Sequence, residues 1–199
     1  ITLALIDIDG FSELNDALGH QHGDNLLKAV ATRLQQQLPA GTLLARVAGD
    51  VFGILANTAE LSAEFLNNLL RQPLCLEQLQ QNLTATIGLA SLELIDGSGS
   101  DALKAANIAL KHGKQHRRGG ISHFSRDMEF ETRARVRLLQ DLRSAFERER
   151  LFVVYQPQVR LSDRQLIGVE ALLRWRNDDG SFVAPAQFIP LAESSGLII

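Results

Sequence analysis

The stretch ITLALIDIDGFSELNDALGHQHGD, residues 1–24, decides the fold of this chain. It opens with an apolar run over residues 1–6, which is too short to span a membrane and is typical of a buried strand. Asp7 and Asp9 follow, and both side chains point to one face if the strand continues through them. Carboxylates at the end of a buried strand, just before a glycine turn, are suited to a cation and to the anion that the cation brings.

The two aspartates also have a plainer interpretation. Residues 12–18 predict a short helix that ends at Gly19, so Asp9 could simply cap that helix while Asp7 is solvated. Asp and Gly are common turn residues, and spacing alone does not decide between a cation site and turn chemistry. Both interpretations stay open at this point.

Composition limits the class of protein. A chain of 199 residues predicts one or two soluble domains, and its formal net charge of −3 argues against a nucleic-acid partner. Cys75 is the single cysteine, so no internal disulfide forms and a reducing compartment is expected. We therefore expect a cytoplasmic protein, or the cytoplasmic part of a membrane-anchored one. Because the chain begins on a strand without an initiator Met, we also expect it to be a piece of a longer protein.

Periodicity predicts an alternation of helices and strands after residue 18. Helices are predicted after Asp24 as N-cap and over 63–70 and 102–111, and strands over 42–47, 51–55, 83–92 and 121–124. His20 and His22 are more typical of a loop than of a metal site, because no Cys or third His lies nearby. This order predicts an α+β or α/β sandwich, in which helices cover a sheet with antiparallel strands.

Two motifs resemble one family. Residues 6–24, IDIDGFSELNDALGHQHGD, resemble the opening signature of the GGDEF family, the diguanylate cyclases, and RVAGDVF at 46–52 stands at that family's name-giving motif. The resemblance covers about 1–124. It implies a GGDEF-type sheet covered by helices, a Mg²⁺ or Mn²⁺ cofactor and GTP as ligand.

The resemblance also implies roles for particular residues. It implies that the metal is bound by Asp7, the backbone oxygen of Ile8 and Asp50. The guanine base would contact Asn15 and Asp24. The triphosphate would contact Lys114 and Arg118. Asn can both donate and accept hydrogen bonds, whereas Asp accepts two from guanine. Without the resemblance, the basic cluster around Lys114 is equally typical of a solvated helix end near the negative pole of the dipole.

One departure from the family pattern concerns activity. The family has two successive acids before the Phe, and the second is Val51 here; Ala48 also replaces the first glycine of the motif. Valine can neither bind a metal nor take a proton from the attacking hydroxyl. The family's inhibitory Arg and Asp would fall at Pro39 and Thr42, so both charges are lost. We therefore predict a degenerate domain without cyclase activity, with GTP as an allosteric ligand.

The second half resembles another family. Residues 133–150 predict an amphipathic helix, and 151–159 and 166–175 predict strands. YQP at 155–157, GVEALLRW at 168–175 and FIPLAE at 188–193 together resemble the start of the EAL family, the cyclic-di-GMP phosphodiesterases. The expected domains are a degenerate GGDEF domain over 1–125, a linker and first EAL helix over 126–150, and an EAL fragment over 151–199.

The EAL resemblance implies a (β/α)8-type barrel, which needs about 200 residues or more and is incomplete in this chain. It also implies that Glu170 binds a metal, Gln156 contacts the substrate and Arg174 contacts a phosphate. On the residues alone, Glu170 and Arg174 share a strand face and are also consistent with a simple surface ion pair.

Two functions of the parent protein are compatible with these resemblances. In one, the parent protein hydrolyses cyclic di-GMP and the GGDEF domain regulates it; in the other, both domains are degenerate and the protein is a non-catalytic cyclic-di-GMP receptor. The resemblance also allows a homodimer and an upstream sensor domain.

Overall fold

The central strand of the first part of the chain is β1, Thr2–Ile8. The structure is a computed structural model that describes residues 1–76 and 79–198. The chain divides into two compact units, Ile1–Phe130 and Glu131–Ile199. Ala4, Leu5 and Ile6 of β1 are fully buried, which confirms the buried strand predicted from the apolar run.

The elements of the two units are as follows. The first unit contains β1, α1 (Phe11–Leu18), α2 (His20–Gln37), β2 (Leu43–Ala48), β3 (Val51–Ala56), α3 (Ala63–Arg71), β4 (Leu74–Leu76), β5 (Leu79–Gln81), β6 (Ala85–Ser91), a 3₁₀ turn (Leu92–Leu94), α4 (Gly99–His116) and β7 (Ile121–His123). Helix α5 (Arg126–Glu147) crosses the boundary and is followed by β8 (Leu151–Val159), β9 (Leu166–Arg176), β10 (Phe182–Val183) and α6 (Pro185–Ser194).

The main sheet of the first unit has the strand order β2-β3-β1-β6-β7. All pairs are antiparallel except β6 with β7. Ala4, Ile6 and Ile8 of β1 pack against α2 and α3 on one face of the sheet, and Leu5 packs against α4 on the other. This arrangement confirms the predicted mixed fold, a partly antiparallel sheet covered by helices.

Helix α4 lies unusually close to the sheet. It begins at Gly99 because Ser98 and Asp101 form a capping box, in which the Asp101 carboxylate accepts from the Ser98 backbone N–H at 2.8 Å. Small residues then face β6, and a Cβ atom on Gly88 would collide with the backbone of α4 at Ala106 and Leu110. The absence of a side chain at Gly88 therefore sets how near the end of α4 comes to β1.

One part of the predicted secondary structure was wrong. Helix α2 begins at His20, so His20 and His22 lie in its first turn rather than in a loop, and Asp24 lies inside the helix rather than at its N-cap. Gly19 takes that place with a φ of 84°, a left-handed value that glycine tolerates. The chain can turn sharply there, so α1 and α2 need no longer linker.

The second unit has its own sheet and core. Strands β10, β9 and β8 form an open antiparallel sheet in that order. Trp175 and Phe188 are buried in its core with ring centroids 5.6 Å apart, and Leu142 of α5 packs in the same cluster. Neither α6 nor the short β4–β5 hairpin was predicted. In the part of the chain that the structure describes, no helix is long and apolar enough to cross a membrane.

Candidate functional site

The candidate site of the first unit is organised by a row of three residues across the sheet. Asp7 pairs directly with Val51 on β3 and with Thr86 on β6. Side chains of directly opposed residues lie on the same face of a sheet. Val51 packs with the apolar cluster that includes Leu5 and α4, so this is the face that α4 covers. An acid at residue 51 would lie beside Asp7, and valine places an apolar side chain there instead.

Two basic residues, one in the last turn of α4 and one just after the helix, meet the aspartates at the end of β1 and in the turn that follows it. The Lys114 ammonium lies 2.6 Å from Oδ2 of Asp7, and Nε of Arg118 lies 3.6 Å from Oδ1 of Asp9. β1 does continue through Asp7, which is only 5 % exposed, so the solvated alternative for Asp7 is wrong. The structure thus brings together the residues expected to bind metal and those expected to bind phosphate. Lys114 is not merely a solvated helix end.

The Asp7 carboxylate is costly to keep charged. Burial raises the pKa of Asp7 above its ordinary value, and the hydrogen bond from Lys114 opposes that shift without cancelling it. The negative charges of Asp50 and Asp9 raise the pKa further. Asp50 lies at the tip of the β2–β3 hairpin, where its carbonyl accepts from the Ile8 N–H at 3.4 Å. The charged form of Asp7 therefore depends on a nearby cation, and Lys114 supplies one.

The same carboxylates have unused oxygens. Oδ1 of Asp7 and Oδ2 of Asp9 are buried and find no hydrogen-bond partner within the described residues. Across residues 1–76 and 79–198, no three His, Cys, Asp or Glu side chains lie close enough to hold a metal by themselves. Mg²⁺ often takes only one or two carboxylates and completes its shell with water and phosphate. Asp7 and the Ile8 carbonyl therefore fit one Mg²⁺ that arrives with a nucleotide.

A hydrogen-bonded chain fixes Asp9. The Thr86 hydroxyl donates to Oδ1 of Asp9 at 2.8 Å, and the Gly119 N–H donates to that hydroxyl at 3.0 Å. The N-cap of α1 is Gly10, without a side-chain cap, so the interpretation of Asp9 as a helix cap is wrong. Thr86 is fully buried and was missed, because a threonine inside a strand pattern gives no sequence signal. Asp9 instead holds the turn that carries Arg118.

The residues expected to meet the guanine base lie on α1 and α2. The Asn15 side chain lies directly against Gly23, where any Cβ would collide with Oδ1 of Asn15. That oxygen is buried and has no hydrogen-bond partner in the described structure. Asp24, the next residue after Gly23, is exposed and lines a cleft of about 480 Å³ between α2 and β2, with Arg46 on its far side. An unpartnered acceptor and a free carboxylate are therefore available for a polar base.

The candidate residues of the second unit lie on a strand pair. Gln156 on β8 pairs directly with Glu170 on β9, so the two exposed side chains share a face. Arg174 lies four residues further along that face. Its Cα is about 13 Å from that of Glu170, which is too far for a direct ion pair. Its guanidinium donates to the Leu173 carbonyl at 2.9 Å. The structure brings Gln156 and Glu170 together and leaves Arg174 apart.

Two family models match the chain. The model described as "Diguanylate cyclase, GGDEF domain" matches residues 1–120, and the model described as "EAL domain" matches residues 139–199. The two family matches follow one another along the chain in the same order as the two compact units.

Two curated relatives match almost the whole chain. The bifunctional diguanylate cyclase/cyclic di-GMP phosphodiesterase MucR of Pseudomonas aeruginosa is 38% identical over 98% of this chain, which spans 29% of MucR. The cyclic di-GMP phosphodiesterase NbdA of the same organism is 33% identical over 100% of this chain, which spans 26% of NbdA. The chain therefore corresponds to less than a third of each of these relatives.

Solved structures resemble the first unit. The GGDEF domain of YfiN (TpbB) from Pseudomonas aeruginosa superposes with a TM-score of 0.60 at 29% identity, covering 66% of this chain and 81% of that one. The GGDEF domain of DgcB from Caulobacter crescentus, solved in complex with c-di-GMP, has a TM-score of 0.53 at 25% identity, covering 61% and 76%. The chain therefore belongs to the GGDEF family of cyclic-di-GMP signalling proteins, with a partial EAL domain over residues 139–199.

Proposed function

We propose that the first unit binds GTP without cyclising it, and that the whole protein uses this binding to regulate hydrolysis of cyclic di-GMP by its EAL domain. The first half of this proposal rests on the β1–β3 register, which places Val51 directly opposite Asp7. Cyclisation needs a group that activates the attacking hydroxyl, and valine has neither charge nor a proton acceptor. Binding does not need that group.

The remaining side chains have the chemistry that a triphosphate requires. Lys114 and Arg118 bring two positive charges to one end of the sheet, where phosphate oxygens would lie. When bound, Mg²⁺ supplies charge neutralisation for the phosphates. Asp7 and the Ile8 carbonyl would hold that ion. The Asp9–Thr86–Gly119 chain orients Arg118 by fixing the turn that carries it.

Recognition of the base rests on Asn15 and Asp24. The Asn15 amide carries an unpartnered buried oxygen, and the Asp24 carboxylate can accept from the N1–H and amino group of guanine. A base that lacks those two donors would leave Asp24 unpaired in the complex. We therefore expect GTP to be preferred over ATP.

Calorimetry tests this half of the proposal. GTP with Mg²⁺ should bind the whole protein, Asp24→Ala should weaken binding by about tenfold or more, and Asp16→Ala, an exposed acid on α1, should leave it unchanged. The same samples should form no cyclic di-GMP. Absence of binding at millimolar GTP, or production of the cyclic dinucleotide, would overturn this half.

The second half rests on the EAL segment. Glu170 is an exposed carboxylate with the Gln156 amide directly across the strand pair, which suits one metal ligand beside one substrate contact. The names of NbdA and MucR include phosphodiesterase activity on cyclic di-GMP. Glu170 would hold a metal ion there, which would supply activation of water and charge neutralisation for the phosphodiester.

Hydrolysis of cyclic di-GMP by the whole protein, with and without GTP, tests the second half. We expect turnover in Mg²⁺ or Mn²⁺ that changes on adding GTP and is lost in Glu170→Gln. Asp163→Asn, an exposed acid in the β8–β9 turn, is the matched control and should keep full activity. Tight binding of cyclic di-GMP without hydrolysis would identify a receptor instead.

A further inference from the structure

The cation that Asp7 needs is already present in the chain. The Lys114 side chain is 36% exposed and reaches in from the surface, so that its ammonium contacts Oδ2 of the buried carboxylate at 2.6 Å. A single positive charge thus neutralises the acid in the place where a divalent ion would do so. The free Oδ1 of the same carboxylate is the only oxygen of Asp7 left for a metal.

An ammonium and a divalent cation on one buried carboxylate repel each other. Charges interact strongly where water is excluded, and the repulsion grows with the charge of the metal. Asp9 and Asp50 lie near Asp7, and an acid directly opposite it would offset this repulsion further, but that residue is Val51. The metal must therefore compete with Lys114 for the Asp7 carboxylate.

We infer that Lys114 is an internal counter-ion that substitutes for the metal on Asp7 and keeps the first unit closed to divalent cations until phosphates draw the lysine away. The last clause rests on the proposed function; the competition between Lys114 and metal does not. Metal and nucleotide then bind cooperatively, because each one breaks the Lys114–Asp7 contact that hinders the other. This coupling must be reciprocal. The contact is thus an autoinhibitory ion pair.

Electron paramagnetic resonance of free Mn²⁺ tests the competition without any nucleotide. Each variant is made in the whole protein carrying Glu170→Gln, so that the second unit contributes as little metal binding as possible. We expect Lys114→Gln to bind Mn²⁺ at least about tenfold more tightly than the parent, because a buried carboxylate without its counter-ion seeks another cation. Lys114→Arg keeps the charge and should keep the weak binding.

Lys111→Gln is the matched control. Lys111 lies one turn earlier on the same helix and is exposed, so its loss removes the same charge without touching Asp7. An equal gain in Lys111→Gln would reveal a general effect of net charge and would overturn the inference. So would unchanged Mn²⁺ binding in Lys114→Gln, or a gain that persists in the Asp7→Asn/Lys114→Gln double variant.

A second variant covers the case in which Lys114→Gln does not fold. Asp7→Asn releases Lys114. In EDTA, GTP should therefore bind to this variant at least about fivefold more tightly than to the parent, and Mg²⁺ should no longer improve binding. Unchanged binding in EDTA would contradict the inference. Failure of the parent to bind GTP at all would instead contradict the proposed function and leave the Mn²⁺ result standing.

Discussion

The two units hold their candidate acids in opposite ways. Asp7 is only 5 % exposed, lies near the end of the central strand and is held by Lys114, whereas Glu170 is exposed on the face of an open sheet. Within the described residues, Glu170 has no ion-pair partner. A buried carboxylate needs a cation or hydrogen-bond donors from the chain itself, whereas an exposed one is hydrated by solvent.

The comparison concerns a buried site in which a valine lies directly opposite the acid. With valine opposite Asp7, the Lys114 ammonium pairs with the Asp7 carboxylate, and Arg118 lies near Asp9. The exposed site of the second unit has no such internal balance. The two units should therefore respond differently to substitution and to divalent ions.

The largest expected effect comes from separating α4 from the sheet. Gly88→Ala would place a Cβ into the α4 backbone at Ala106 and Leu110 and should cost about 3 kcal/mol of unfolding free energy. Denaturant unfolding measures this loss. Gly99→Ala, where nothing lies within 4 Å of the added Cβ, should cost little. Equal costs would show that the close approach of α4 is unimportant.

Removing the counter-ion should have the next largest effect. Lys114→Gln leaves Asp7 buried and unpaired and should cost about 1–2 kcal/mol, a value reduced from that of fully buried pairs because Lys114 is partly exposed. Arg118→Gln should cost no more than about 0.5 kcal/mol, since that side chain is 62% exposed and 3.6 Å from Asp9. The reverse order in denaturant unfolding would contradict the assignment of Lys114.

The effect of Asp7→Asn on stability should be smaller still, and its dependence on pH should have a defined sign. The pKa of Asp7 in the folded protein is raised above 3.8, so the stability linked to this group is present below 3.8 and is lost as pH rises through the raised pKa. Asp7→Asn should therefore raise Tm by about 2–4 °C at neutral pH in EDTA. The gain should shrink as pH falls toward 3.8, and a gain that grows on acidification would contradict the raised pKa.

The smallest effect on stability is expected at the exposed acid. Glu170→Gln should change the unfolding free energy by no more than about 0.5 kcal/mol, because it has neither a buried charge nor an ion pair to lose. Thermal unfolding of the second unit is the measurement. A large loss would mean that Glu170 is structural, and the contrast between the units would fail.

Much of the fold follows from local patterns. The buried run before Asp7 predicted β1, and the acidic turn after Ala48 predicted the β2–β3 hairpin, because apolar runs and turn residues act over short distances. The start of α2 was misplaced, since Asp24 is a good N-cap but Gly19 allowed an earlier start. Tertiary context overrode a sound local preference there.

The site was predictable only in part. Asp7, Lys114 and Arg118 were named from motifs, yet nothing in the sequence shows that Lys114 contacts Asp7 rather than solvent. That contact depends on the spacing between α4 and β6, which Gly88 sets through long-range packing. Thr86 was missed for the same reason: its hydroxyl acquires a role only when β6 lies beside β1.

The register of β1 and β3 has a consequence for how this domain can evolve. Because Val51 already faces the same pocket as Asp7, a carboxylate there would need no movement of the backbone. Valine and the two acidic amino acids differ by a single base in the middle of the codon. The strand pairing thus already has the geometry for an acid at residue 51, which is one point mutation away.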